Sequence, residues 1–146
     1  TSQTIHRLCG GRDGAFSDAL KRESESVQAH REVVAPGAFA DGVKVLVEHY
    51  EVLGDDVVRM LAAESGSAEI AAICESGRRY HQAWCKRLVG THLRHLGSVE
   101  RQRRLVMVGA VLDVYMWKLL RRDGELTRIR TEQAMVELLE TTLGRI

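Results

Sequence analysis

At 146 residues, with 45% hydrophobic and 28% charged side chains, the chain has the balance of one soluble globular domain. It has no apolar run long enough for a membrane span and is too hydrophobic for a disordered segment. Its 21 basic and 20 acidic residues leave a formal net charge of +1, so contact with nucleic acid or anionic lipid must come from a local patch.

Helices account for the pattern from the start. There is one proline, Pro36, and aromatic residues make up 5%, whereas strand-rich chains need frequent turn residues and aromatic or β-branched runs. The fold class expected is all-α. Ser2 to Leu8 forms a short polar stub that runs into Cys9-Gly10-Gly11, a glycine-type stop. A long helix from about Asp13 to Val34 carries a sparse apolar stripe of Phe16, Ala19, Leu20, Val27 and Val34, and Pro36-Gly37 ends it. Ala38 to Leu53 follows, with Phe39, Val43, Leu46, Val47, Tyr50 and Leu53 at helical spacing. After Gly54, Asp55 can cap a short helix bearing Val57, Met60 and Leu61. Ser65-Gly66-Ser67 is a loop, and a helix spans about Ala68 to Leu96 with Gly90 as a possible bend. Ser98 can cap a helix reaching about Arg122, Asp123-Gly124 closes it, and Thr127 caps the last helix, which ends near Leu143.

The segment Leu105 to Trp117 is apolar nearly all round. Leu105, Val108, Leu112, Tyr115 and Leu119 form one stripe at helical spacing, the expected core face. Met107, Ala110, Val111 and Val114 form a second stripe opposite. Either this helix is wholly central or a second copy covers it. The last helix favours the second copy, with Ala134, Met135, Leu138 and Thr142 along one stripe. Two such helices from each of two chains would make a four-helix bundle with twofold symmetry, so a homodimer is expected.

Metal and catalytic chemistry find little support. Cys74, His81, Cys85 and His92 share a helical stripe, but at about 1.5 Å rise per residue Cys74 and Cys85 stand ~16 Å apart. His81 and Cys85 alone could be co-ligands, fewer than zinc needs, so no metal and no cofactor is expected. Asp113 is an isolated carboxylate in an apolar stretch, for which a structural hydrogen bond or a contact to the partner chain is a simpler role than acid or base. No phosphate-binding loop follows a strand, and an enzyme is not expected. Three widely spaced cysteines, Cys9, Cys74 and Cys85, are not expected to form a disulfide framework, and no signal peptide is expected at the start of the chain. A cytoplasmic, reducing location is therefore expected.

Two stretches resemble a known family. The opening TSQTIHRLCGGRDGAF is similar to the end of the helix-turn-helix in TetR-family transcriptional regulators: Thr1 stands at the cap, Thr4-Ile5 matches the threonine–apolar pair, Gly10 is in the turn and Arg12 replaces a lysine. His6, Cys9 and Gly11 depart from the usual tyrosine, phenylalanine and serine. The run VLDVYMWKLLRRDGELTRIRTEQAMVELLETTL, from Val111, resembles the closing helices of a TetR subgroup, most closely over Asp113 to Asp123. The two helices that precede the recognition helix in that family have no counterpart in this sequence.

The resemblance implies two parts. Residues 1–12 would be the remnant of a DNA-binding domain, and residues 13–146 the effector-binding and dimerisation domain. Thr1, Ser2, Gln3, His6 and Arg7 would then face operator DNA, with Arg12 near a phosphate. A small-molecule effector would sit in the helical body, where Tyr50, Met60, His81, Trp84 and Tyr115 are the candidate lining residues. The function implied is a ligand-responsive repressor, homodimeric, without a membrane partner. The alternative is a helical small-molecule-binding or interaction module with no DNA role.

Overall fold

The helical periods read from the sequence recur in a computed structural model that describes residues 25–144. The DNA-contact candidates Thr1, Ser2, Gln3, His6, Arg7 and Arg12, and the 1–12 remnant as a whole, lie outside the described residues. Among the described residues every regular element is a helix or a helical turn. Residues 25–32 form α1; α2 is Phe39–Ala62, α3 Ala68–Val89, α4 Ser98–Val111, α5 Val114–Lys118 and α6 Arg128–Leu143. A 3₁₀ turn, Glu64–Gly66, joins α2 to α3, and a π turn, Leu119–Asp123, extends α5.

α2 is the axis of the molecule and packs against α3, α5 and α6, while α4 packs against α3 and α6. Its i, i+3, i+4 stripe (Phe39, Val43, Leu46, Val47 and Tyr50) is buried against Trp84, Leu88, Val89, Leu112, Trp117, Met135 and Leu139. Loss of that apolar surface to water is what drives the packing.

Four boundaries differ from the sequence reading. α2 does not stop at Leu53: it runs through Gly54, and Asp55 lies inside the helix rather than at a cap. Gly54 is a contact, not a break. A Cβ there would stand 2.4 Å from Trp117 Cζ3, so only glycine lets α2 come this close to the indole. α3 ends at Val89, short of Leu96, and the next turns are held by Arg101, which donates to the carbonyls of Leu93 (3.2 Å), Arg94 (3.1 Å) and Leu96 (2.7 Å). The helix expected from Ser98 to Arg122 breaks at Leu112-Asp113, and its N-cap is Gly97 rather than Ser98. Asp113 turns extended and caps α5, accepting from Tyr115 N at 2.8 Å, which is the structural role its isolation suggested. The helix expected to reach Val34 is helical to residue 32, and Gly37 takes a positive φ of 89° before α2 begins. Thr127 does cap α6, accepting from Arg130 N, and α6 ends at Leu143.

The break at Asp113 re-sorts the two stripes. Because α5 restarts with its own phase, Val114 turns into the core and is 4% exposed, while Tyr115 and Leu119 turn outward, at 46% and 56%. Val111, Met135 and Thr142 are also buried within the chain. These four therefore belong to the protomer's own core, not to an outward interface face. Met107, Ala110 and Leu138 remain exposed and Ala134 half-buried. Among the described residues no helix is long and apolar enough to cross a membrane.

Candidate functional site

The C-terminal end of α1 lies across α3, and the carbonyls that a helix end leaves unpaired are taken up there. Arg87 donates to the carbonyls of Arg31 (2.8 Å) and Val34 (3.1 Å), and Trp84 Nε1 donates to the Arg31 carbonyl at 3.2 Å. This clamp fixes the backbone of Arg31 and turns its side chain inward, where the residue is 6% exposed.

The guanidinium meets aromatic and imidazole groups. Its carbon stands 5.1 Å from the Trp84 ring centroid and 5.9 Å from that of Tyr80. Nε donates to His49 Nδ1 at 3.4 Å. Cation–π contacts of this kind contribute about 0.5–2 kcal/mol. A buried charge without a counter-ion costs several kcal/mol. Among the described residues no carboxylate pairs with Arg31.

Burial keeps His49, His81, Cys85 and Tyr50 neutral. Burial, followed by the charges of Arg31 and His30, lowers His49 to about 4. Burial and then Arg31 lower His81 to about 4, against a hydrogen bond to the Gly109 backbone that raises it. Burial pushes the Cys85 thiol up to about 12, outweighing Arg31, and burial likewise raises the Tyr50 hydroxyl, which donates to the Leu112 carbonyl at 3.0 Å. His81 Nε2 and Cys85 Sγ are 3.5 Å apart. Among the described residues no three His, Cys, Asp or Glu side chains converge on a metal position.

The five pocket candidates separate. Tyr50, His81 and Trp84 gather round Arg31. Met60 lies ten residues further along α2, about 15 Å away along the axis, with its carbonyl against Cys74 Sγ, and Tyr115 faces outward. Arg31 and His49 were missed. The signal for Arg31 is a charged residue in an apolar register: Val27, Arg31 and Val34 follow the i, i+4, i+7 spacing of the α1 stripe.

Away from this cluster, a concavity of about 320 Å³ lies between Pro36, Leu93 and Leu105 and is rimmed by basic residues. Two of those, Arg87 and Arg101, are already engaged by backbone carbonyls, which leaves the Arg31 cluster as the better-defined binding chemistry.

Compared with known protein families, with characterised proteins and with solved structures, the chain shows no significant match to any.

Proposed function

We propose that this chain is the effector-binding and dimerisation body of a DNA-binding transcriptional regulator of the kind its sequence resembles, a TetR-like repressor released from operator DNA by a small molecule. The observation that carries the reading is the outward side of the two helices that pack together near the C-terminus. α4 leaves Val106, Met107 and Ala110 exposed, at 64% and 36% for the first two, and α6 leaves Leu138 exposed at 39%. Exposed apolar side chains recurring along one helix suit a covering partner. A twofold pairing of α4 and α6 with their counterparts in a second copy would bury them. The interface is narrower than the sequence suggested, since Val111, Val114, Met135 and Thr142 belong to the protomer core.

In such a dimer two recognition helices must reach successive major grooves about 34–36 Å apart. An effector that binds better to a different separation removes the population competent for DNA, and operator DNA must weaken effector binding by the same factor. α1, joined through Arg31 and Arg87 to α3, is the element through which a change in the helical body would reach the N-terminal part. The test is a gel shift of the full-length protein on its own upstream region, paired with light scattering. A shifted complex and a dimeric mass, both lost in Met107→Glu/Leu138→Glu, are expected. A monomer at micromolar concentration that shifts no DNA at low salt would overturn the proposal in favour of a helical binding module.

A further inference from the structure

We propose that Arg31 is the receptor for the carboxylate of a small organic monoanion, held among the side chains of Tyr50, Tyr80, Trp84 and His81. This rests on reading the helical body as an effector-binding domain, and it names the chemical class of the effector.

The starting point is a buried charge that no carboxylate among the described residues balances. Arg31 is more than nine-tenths buried, and arginine is almost never buried to that degree unless paired. Its Nε is engaged by His49. The Tyr50 hydroxyl also hydrogen-bonds the guanidinium, but among the described residues no carboxylate and no carbonyl meets the two terminal nitrogens, the planar pair that fits a carboxylate end-on. The negative charges nearby are engaged elsewhere. Asp113 caps α5 through Tyr115 N, and Glu32, on the rim, pairs with Arg87 at 3.6 Å.

The ligand's charge follows from the count. His49 and His81 are neutral at physiological pH, and the charge of Arg87, whose donors reach the carbonyls at the end of α1, is met by Glu32 at 3.6 Å. The site therefore offers one positive charge, which a carboxylate balances and a phosphate dianion would exceed. Its surroundings are aromatic rings and a thiol, which favours an apolar body behind the carboxylate. Tyr80, half-buried and bonded to the Gln28 carbonyl at 3.4 Å, forms the edge nearest solvent. Among the described residues, neither the exposed face of α4 nor the concavity beside Pro36 offers a buried charge of this kind.

Calorimetric titration of the full chain with sodium benzoate and sodium octanoate, against benzamide and octanamide, tests the assignment, with indole proton signals recorded in parallel. At least one carboxylate should bind at least about tenfold more tightly than its amide. The Trp84 indole signal should move while that of Trp117 stays in place. Arg31→Met should abolish the preference for the carboxylate, and Arg31→Lys, which keeps the charge without the planar fork, should retain part of it. Equal binding of acid and amide, no binding by any of the four at millimolar concentration, or an Arg31→Lys variant indistinguishable from wild type would overturn it. The two proposals fail separately. If carboxylates bind through Arg31 but leave the operator complex intact, the receptor stands and the regulator reading falls. If neutral compounds alone release the operator, the regulator stands and the receptor falls.

Discussion

Both tryptophans of the chain lie against an arginine, and the two pairs are completed differently. Over Trp117, the Arg122 guanidinium sits 4.6 Å from the ring centroid and also binds Asp55 at 3.1 Å. The indole nitrogen donates to Glu51 at 3.1 Å, and Arg121 closes on the same carboxylate at 2.9 Å. Every charge there has an opposite, and the function of the arrangement is to lock α5 and the π turn onto α2. At Trp84 the arginine is the more deeply buried and has no carboxylate at all among the described residues. The first assembly is complete within the protomer. Among the described residues the second has the same components without the anion, and on that difference rests the proposal that it is a binding site rather than a structural clamp.

The largest effects should fall on the completed side. Trp117 is fully buried, so Trp117→Ala is expected to cost about 3–5 kcal/mol in urea unfolding. Gly54→Ala should cost about 1–3 kcal/mol, because its methyl would overlap the indole. An unchanged midpoint for Gly54→Ala would mean that α2 and Trp117 have slack, and the clamp would lose its meaning.

Acid separates the two assemblies by their windows. His81 has a folded pKa of about 4 against an ordinary 6.5. The unfolded chain therefore binds more protons between those values, so stability is full above pH 6.5 and falls as the pH drops toward 4. His81 alone should account for about 2–3 kcal/mol of that loss, with a smaller share from the less buried His49. Glu51 acts lower. Burial raises its pKa, but the bonds from Arg121 and Trp117 outweigh this and hold it below its ordinary 4.5, so its contribution is lost only below that pH. Urea midpoints measured from pH 7 to 4 should fall steadily in the wild type and flatten in His81→Gln. A flat wild-type profile would mean that His81 is solvated.

Smaller in size but sharper in logic is the pair Arg122→Met and Arg31→Met. Removing Arg122 should lower stability by about 1 kcal/mol, through the Asp55 pair and the ring contact. Removing Arg31 should leave stability unchanged or raise it, because the variant loses a buried charge that no carboxylate among the described residues balances, while its backbone carbonyl keeps Trp84 and Arg87. A loss of several kcal/mol in Arg31→Met would show that the guanidinium is structural and that its rings suffice as partners.

Helical periodicity made the fold class and most helix positions legible, since the stripe of α2 and the capping threonine of α6 are local signals. What it could not show were the two places where tertiary contact outweighs local propensity. Gly54 reads as a stop because glycine weakens helices, yet the approach of Trp117, 63 positions away in sequence, keeps the helix running. Leu112-Asp113 reads as continuous helix because its neighbours are apolar, yet Asp113 caps a new helix and rotates the following stripe. One phase error there carried Val114 to the wrong side and Tyr115 to the other. The candidate site was half visible. Tyr50, His81 and Trp84 stand out by chemistry, whereas Arg31 is one charge among many on a helix whose apolar stripe is sparse.

Thr131 tests whether an unpartnered buried group is enough to mark a site. Its hydroxyl is fully buried and has no hydrogen-bond partner among the described residues, which makes it superficially akin to Arg31. The physics differs in scale. A neutral hydroxyl buried without a partner costs about 1–3 kcal/mol by mutational measures and asks for nothing a methyl cannot replace, whereas a buried guanidinium needs an opposite charge. Thr131→Val keeps the shape and should therefore raise the unfolding free energy by up to about 1 kcal/mol, with no change in carboxylate binding or in the Trp84 indole signal. If instead the valine variant were destabilised, the hydroxyl would have a partner that the packing of α6 against α2 conceals. The distinction between Arg31 and the rest of the core would then rest on charge alone.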